Sequence, residues 1–507
     1  MVRYFQRNAR FACVAFLVIA AQVHGANWTQ FRGSRAHTGA ARDASDGILL
    51  PIWTVQLPSI ATANGLQPPA VNSSPAIVDG VVYVGSRNTH FYALNAQTGA
   101  QVWEYAALDA VQSSPLVKDG VVYFEADRGV LTALNAADGS VVWTHASGGM
   151  MDRSSPNISG DNVVCAAAYP KMTIYAVPVG SSGTAPEAWS VNTGQFVYSS
   201  PAVDPATQNV YCGSNNGAVY ALKPDGSALW AAPFDTVDGS IFWASPTVAN
   251  GKVYISGGSY DFALHALDAG SGLRVWDAPM APQPTLPLTS YRAIQVSSPA
   301  VDGDFVSVVG GYGDARGPST LYAFRDKGLT PELLWSTAIP NSVNTDYVSS
   351  PAITPASVVV GCAAAADPAH PTWPRGRVYV VDRVTGAAQW YAAGSASVSG
   401  GPILSSPAIS GDLVVVGDNS GLVTAYKTIR AGDVDGDGTV TVLDCVGLLG
   451  TSANGGVPSA YQRYVADVYP GNSVSPDAVR SFGDAKITAG DADRILKYAI
   501  GLETRLP

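Results

Sequence analysis

The apolar positions of this chain fall into short β-type runs that recur in register. Eight times a Ser-Ser-Pro, or its variant Ala-Ser-Pro, opens a Val/Tyr-rich stretch, with prolines at Pro75, Pro115, Pro156, Pro201, Pro246, Pro299, Pro351 and Pro407. A period of about forty to fifty-five residues marks a repeat architecture. In the first full unit, Ser73-Ser74-Pro75 leads to the turn pair Asp79-Gly80. Val81-Val82-Tyr83-Val84 follows as a β-branched and aromatic run ended by Gly85. Phe91 to Leu94 predicts a third strand, Asn95 to Gly99 a turn, and Gln101-Val102-Trp103 the start of a fourth. Four strands with short connections make one antiparallel meander.

The second unit repeats this with Asp119-Gly120, Val121-Val122-Tyr123, Asn135, Gly139 and Trp143. The fifth carries Asp268 to Gly272 and Trp276, and the seventh Asp382 to Gly386 and Trp390. Units three, four and six are looser but keep Trp189, Trp230 and Trp335. In the turn, Asn or Asp accepts hydrogen bonds from the backbone two residues on, and Gly takes the positive-φ position. The following Trp is expected to lie across that turn and dock on the neighbouring sheet, its indole N–H taking a backbone carbonyl.

The eighth unit, from Ser405-Ser406-Pro407, stops after Leu422 to Tyr426 without its Trp strand. An unpaired Trp strand, Ile52 to Val55, precedes the first unit. The two sets are offset by one, so the N-terminal strand can complete the last blade and close a ring, which removes the open edge. The expected fold is all-β: an eight-bladed β-propeller of four-stranded antiparallel blades, closed by an N-terminal strand.

Composition agrees. Of 507 residues, 47% are hydrophobic and 13% charged, and 52 Gly with 34 Pro suit a chain of many turns. Residues 1–25 read as a secretory signal: Arg3, Arg7 and Arg10 with no acid near, then an apolar run from Phe11 to Ala21. No cysteine ends that run, which argues against a lipid anchor. Removing the segment takes the net charge from −10 to −13, a balance that repels nucleic acid and anionic lipid. No later segment has the length and apolarity of a membrane span. The expected location is secreted or extracellular, or else periplasmic or attached to the cell surface. Cys165 and Cys212 share a repeat position in neighbouring units; an oxidising compartment would allow a disulfide, and small core hydrophobes are the simpler reading.

The repeated Ala-x-Asn/Asp-x-x-Thr/Asp/Ser-Gly followed by Trp resembles the tryptophan-docking repeat of the pyrroloquinoline quinone (PQQ)-type eight-bladed propellers. Asn27 to Gly33 is similar to the leader that precedes such propellers in secreted bacterial proteins. The chain then divides into a signal at 1–25, a leader at 26–47, the propeller at 48–430 and a second module at 431–507.

In that module, Asp433, Asp435, Asp437, Thr439, Thr441 and Asp444 stand at positions one, three, five, seven, nine and twelve of an EF-hand loop, with Gly438 as the sharp-turn glycine. Hard oxygen ligands at this spacing wrap Ca²⁺. A weaker copy places Asp484, Lys486, Thr488 and Asp491 at positions five, seven, nine and twelve, with Asp467 as position one across an insertion. An apolar helical stripe follows at Leu496 and Ile500. Two such loops, each followed by a helix, resemble a dockerin, a small α-helical calcium-loop domain that binds cohesin modules. Its recognition positions would fall on Val442 and Leu443, and in the second copy on Ala489 and Gly490. These depart from the hydroxyl pairs of cellulosomal dockerins, which implies a divergent cohesin or an intramolecular contact.

The propeller family implies three functions. Quinoprotein dehydrogenases hold PQQ and calcium on the axis beneath a pair of adjacent cysteines; this chain has no such pair, so PQQ is not expected. Other members are scaffolds, with the outer-membrane assembly propeller as the example. The dockerin points to polysaccharide binding or degradation. No His-Glu-x-x-His pair and no nucleophile elbow occur, and Gly310 to Gly317 reads as a turn rather than a phosphate cradle. The residues just ahead of each Ser-Ser-Pro vary while the frame repeats: Asp152, Arg153, Tyr198, Trp243, Tyr291, Arg292, Asp346 and Tyr347. They are expected to ring one mouth of the channel and hold a saccharide or protein ligand. The expectation is a secreted, non-enzymatic binding or scaffold propeller, tethered through calcium to a cohesin-type partner.

Overall fold

A computed structural model describes residues 26–429, apart from 63–64, 151–152, 237–240, 242–243, 258–260, 262, 281–296, 311–318, 340–348, 364–375 and 393–400. The expected calcium-loop module at 431–507 and the expected signal segment at 1–25 therefore lie outside the described residues.

Eight blades of four antiparallel strands form the body, and the second takes up a fifth, parallel strand at its outer edge. In the first blade the strands are Ala76–Val78, Val81–Gly85, His90–Asn95 and Gln101–Ala106. The two middle strands are buried on both faces because each blade is sandwiched between neighbours. They therefore read as continuous apolar runs rather than as an alternation. The short first strands of neighbouring blades touch one another around the axis. In the eighth blade, Ala408–Ser410, Leu413–Gly417 and Leu422–Ile429 are completed by Ile48–Gln56, with Trp53 opposite Ala425. The ring is closed by the N-terminal strand, as the offset count required.

Each turn behaves as its chemistry dictates. Asn95 Oδ1 accepts the N–H groups of Gln97 and Thr98, both at 3.0 Å, and Gly99 sits at φ 72°. The tryptophan that covers this turn is not its own but that of the preceding blade. A Cβ on Gly99 would lie 2.9 Å from the Trp53 indole, and Gly139, Gly226, Gly272 and Gly386 stand likewise under Trp103, Trp189, Trp230 and Trp335. The indole N–H groups of Trp53 and Trp103 donate to the carbonyls of Ala96 and Ala136, each at 2.9 Å. Trp143, Trp189, Trp230 and Trp335 do the same to Val179, Pro224, Ala269 and Arg383. The exception is Trp276, which donates to the Asp326 carboxylate at 3.1 Å. Just before Trp53, Trp103, Trp143, Trp276 and Trp335 the outer strand carries a β-bulge. A bulge there twists the edge and blunts pairing with other chains.

The serines hold the ring together. The Ser74 N–H donates to Ser114 Oγ at 3.0 Å, Ser114 to Ser155 at 3.0 Å, and Ser155 to Ser200 at 2.9 Å. Ser200 donates to Ser245 and Ser245 to Ser298, both at 2.9 Å, then Ser298 to Ser350 and Ser350 to Ser406, both at 3.1 Å. Ser406 returns to Ser74 at 2.8 Å and closes an eight-membered circuit. The first serine of the motif works within its blade: Ser73, Ser199, Ser349 and Ser405 accept the N–H groups of Gly85, Gly213, Gly361 and Gly417.

The leader runs around the far end of the inner strands. Two residues beyond the motif proline, the N–H groups of Ile77, Val117, Val203, Val248, Val301 and Ile353 donate in turn to carbonyls of Trp28, Thr29, Arg35, Ala36, Thr38 and Gly39. It closes this end of the ring and leaves the end nearest the Ser-Ser-Pro motifs as the mouth. Six of the eight blades make this bond; in blade three, Ile158 N–H donates to Asn157 Oδ1 instead.

Candidate functional site

Strand direction decides which loops reach the mouth. The first strand of each blade runs away from it and the second runs back. The mouth is therefore built by the loops joining strands two and three and by the connections between blades. In blade three, Asn162–Ala167 and Thr173–Pro178 carry between them the loop of Tyr169, whose ring is 58% exposed. The Phe196 ring meets Tyr169 edge-on at 6.2 Å, and Tyr198 lies 5.9 Å beyond Phe196. Backbone bonds hold these loops: Met150 N–H to the Tyr169 carbonyl and Asn215 N–H to the Phe196 carbonyl, at 2.8 and 2.9 Å. The result is a ledge of three aromatic rings, with exposed Met150 beside it. Partly exposed aromatic faces on a rigid backbone bind sugar rings or apolar side chains at low entropic cost.

Of the eight rim residues expected from sequence, the structure places Arg153 and Tyr198. Tyr198 is part of the ledge. Arg153 is half-buried in the left-handed region at φ 67°. Asp152, Trp243, Tyr291, Arg292, Asp346 and Tyr347 lie outside the described residues, as do the glycine-rich loop, the calcium positions from Asp433 to Asp491, and Val442 with Leu443. Sequence reasoning missed Tyr169, which lies on the loop between strands two and three rather than ahead of a motif, and missed Phe196 although it stands on the connection that carries Tyr198. Phe196 is two residues further up the same connection.

A second polar group lies at the mouth end of blade two. Glu125 occupies the position held by Gly85, Gly213, Gly361 and Gly417 in other blades, and the Ser113 hydroxyl accepts its N–H at 2.8 Å. Its carboxyl is 1% exposed. The Tyr175 hydroxyl of blade three donates to Oε1 at 2.7 Å, while Oε2 has no hydrogen-bond partner. Burial pushes the Glu125 carboxyl up to about 8, against which the Tyr175 hydrogen bond and the neighbouring Cys165 thiol act. The His145 ring packs on Tyr175 at 5.5 Å. A lone acid in a frame of glycines was the sequence signal for this cluster.

Cys165, Cys212 and Cys362 are free and buried, in blades three, four and seven. Burial pushes the Cys212 and Cys362 thiols up to about 12. Cys165 and Cys212 are core hydrophobes rather than a disulfide. These separate thiols do not fit a quinone held beneath adjacent cysteines. Among the described residues no three metal-ligating side chains converge, and no helix is long and apolar enough to cross a membrane. On the opposite, leader face, a cavity of about 470 Å³ opens between the leader and blades one and two, lined by Asn27, Tyr83 and Asp119 among others, with Ile158 of blade three at its edge.

The family model described as outer membrane protein assembly factor BamB matches residues 40–182 and 181–320, over half the chain. No curated protein matches it. Among solved structures, BamB from Moraxella catarrhalis is 16% identical, over 75% of this chain and 100% of that one, with a TM-score of 0.55. A quinohemoprotein alcohol dehydrogenase from Comamonas testosteroni is 15% identical, over 79% and 80%, with a TM-score of 0.59. Another, ADHIIG from Pseudomonas putida HK5, is 14% identical over 94% and 96%, also at 0.59. At these identities the likeness establishes the fold alone.

Proposed function

Since this chain belongs to the outer membrane protein assembly factor BamB family, we propose that it is an exported, non-enzymatic propeller that binds a protein or polysaccharide ligand at its open mouth. The observation that carries this reading is the aromatic ledge of Tyr169, Phe196 and Tyr198 at the end opposite the leader. By sequence position, Asp152, Arg153, Trp243, Tyr291, Arg292, Asp346 and Tyr347 would complete the rim. Binding energy would come from the ring faces, which exclude water around a few polar contacts.

Residues 431–507 would tether the propeller through Ca²⁺ to a cohesin-type partner, with Asp433, Asp435, Asp437, Thr439, Thr441 and Asp444 as the first loop. Calcium would fold this module, because an empty acidic loop repels itself.

The ledge is tested on a glycan array and with secreted and envelope proteins, comparing the wild type with a Tyr169→Ala, Phe196→Ala double variant. Loss of a bound ligand in the variant, at unchanged melting temperature, supports the reading. Release of reducing sugar, or dye-linked alcohol oxidation on adding PQQ and calcium, would overturn the non-enzymatic part. Unchanged far-UV CD and protease resistance of residues 431–507 on adding EDTA would overturn the calcium part alone.

A further inference from the structure

The leader carries two side chains into the ring of inner strands, Arg32 and His37. Arg32 is 2% exposed and His37 is fully buried. The Arg32 Nε donates to the His37 carbonyl at 3.0 Å, and Nη2 to the Pro299 carbonyl at 2.8 Å. Both acceptors are neutral, and among the described residues no carboxylate bonds to this guanidinium. Burial alone lowers it, to about 9, so it stays charged at neutral pH. The Nη1 group has no hydrogen-bond partner, and neither has Nδ1 of His37.

The tautomer of His37 follows from its neighbours. Asn157 Nδ2, an amide nitrogen that donates to the Arg35 and Pro201 carbonyls at 2.8 Å, faces His37 Nε2 at 3.3 Å. A nitrogen without a lone pair to offer cannot accept, so Nε2 is bare and the ring proton sits on Nδ1. Burial, with Arg32 close by, lowers this imidazole to about 3, so the ring is neutral. The Pro246 carbonyl lies near the ring, but not in a geometry that satisfies Nδ1.

One buried positive charge and two sets of N–H donors are thus left uncompensated, a combination that folded proteins rarely leave empty. Both residues are also held in the left-handed region, Arg32 at φ 58° and His37 at φ 56°, which non-glycine residues seldom adopt. Two inner-strand positions depart from the small or apolar residues of the other blades to hold this turn. Asn157 bonds the Arg35 carbonyl, and the Thr247 hydroxyl lies 2.6 Å from the Pro299 carbonyl and 3.0 Å from the His37 carbonyl, the two acceptors of Arg32.

We propose that the leader-closed end of the propeller axis binds one small monovalent anion of chloride type, held by Arg32 Nη1–H and His37 Nδ1–H. A water molecule would satisfy the donors but leave the charge unpaired. A divalent oxyanion would overcompensate a single guanidinium. The anion would fasten the leader to blades three, five and six, where Asn157, Thr247 and Pro299 already bond Arg35, His37 and Arg32 in turn.

The test uses the full chain. In crystals grown with bromide in place of chloride, an anomalous peak is expected within hydrogen-bond distance of Arg32 Nη1; water alone at that position overturns the proposal. In solution, at constant ionic strength made up with gluconate, the melting temperature of the wild type is expected to rise with the logarithm of chloride concentration. A trace independent of chloride overturns it. Arg32→Gln should abolish the dependence. Should that variant fail to fold, the bromide measurement on the wild type decides.

Discussion

Replacing Glu125 by Gln should remove a proton-uptake step from folding. In the native state burial holds the Glu125 carboxyl at about 8, against an ordinary value of 4.5. Between those pH values the folded protein keeps a proton that the unfolded chain has released. Stability then falls as pH rises, since its slope follows the difference in bound protons. It is fully present below the unfolded value and is lost as pH climbs toward the folded one. Each pH unit costs about 1.4 kcal/mol, so from pH 5 to 7.5 this one group removes about 3 kcal/mol. Gln has the same shape, can accept the Tyr175 hydroxyl on its amide oxygen, and never ionises. Glu125→Gln should therefore match the wild type near pH 5 and exceed it by about 3 kcal/mol at pH 7.5. Urea unfolding followed by tryptophan fluorescence at several pH values reads the difference between the two proteins, in which all other titrating groups cancel. Tyr175→Phe sharpens the test. That hydroxyl lowers the Glu125 pKa, so its loss should carry the falling limb to higher pH. Parallel wild-type and Glu125→Gln curves from pH 5 to 8 would refute the reasoning, because the carboxyl would then be ionised or solvated in the native state.

Three further substitutions test the frame. Ser200→Ala removes the acceptor of the Ser155 N–H and breaks the serine circuit; a buried unpaired donor costs about 1–3 kcal/mol, and an unchanged melting temperature would deny the circuit a structural role. Gly99→Ala adds a methyl 2.9 Å from the Trp53 indole at φ 72°, so a loss of about 1–3 kcal/mol with a red-shifted tryptophan emission is expected on thermal melting. Asp326→Asn takes the counter-charge from Lys252, whose side chain is 13% exposed and 2.7 Å away. That should cost about 3–5 kcal/mol in urea unfolding, and a neutral effect would mean that Lys252 reaches solvent.

What could be read from the sequence was whatever the ring imposes on every blade alike. Ser-Ser-Pro, the Asp-Gly turn and the tryptophan recur because eight equivalent backbones demand the same residue types, and the surplus Trp53 strand follows from counting them. Contacts between blades were not legible in the same way. Ser74 accepts from Ser406 across 332 positions, and nothing local in either serine names its partner. The turn that Trp53 covers belongs to the next unit, some forty residues on, so the docking was anticipated but assigned to the wrong turn. The leader's bonds to the inner strands run largely through its backbone, so its path around the ring has no residue-by-residue signature. The sixth unit read as degenerate because its turn carbonyl is replaced by a side chain. Asp326 takes the Trp276 indole, the Tyr254 hydroxyl and the Lys252 ammonium together.

In a ring held by recurring bonds, function is expected where the recurrence fails, since each departure must be accommodated against neighbours that keep the rule. The departures are not spread evenly. Asn157 of blade three is where the leader lets go of an inner strand. Glu125 and Tyr175 join blades two and three in place of a glycine contact. The strap Gly183–Thr184 of blade three pairs in parallel with the outer strand Val141–Ala146 of blade two, an added strand the other blades lack among the described residues. Tyr169, Phe196 and Tyr198 form the ledge above the same sector. That strap stiffens the outer edge of the interface whose mouth end holds the buried acid. Among the described residues, blades two to four therefore combine added contacts between blades with an exposed aromatic ledge, the pairing a preorganised binding site requires. A ligand placed there would be held by a sector that the rest of the ring supports but does not copy.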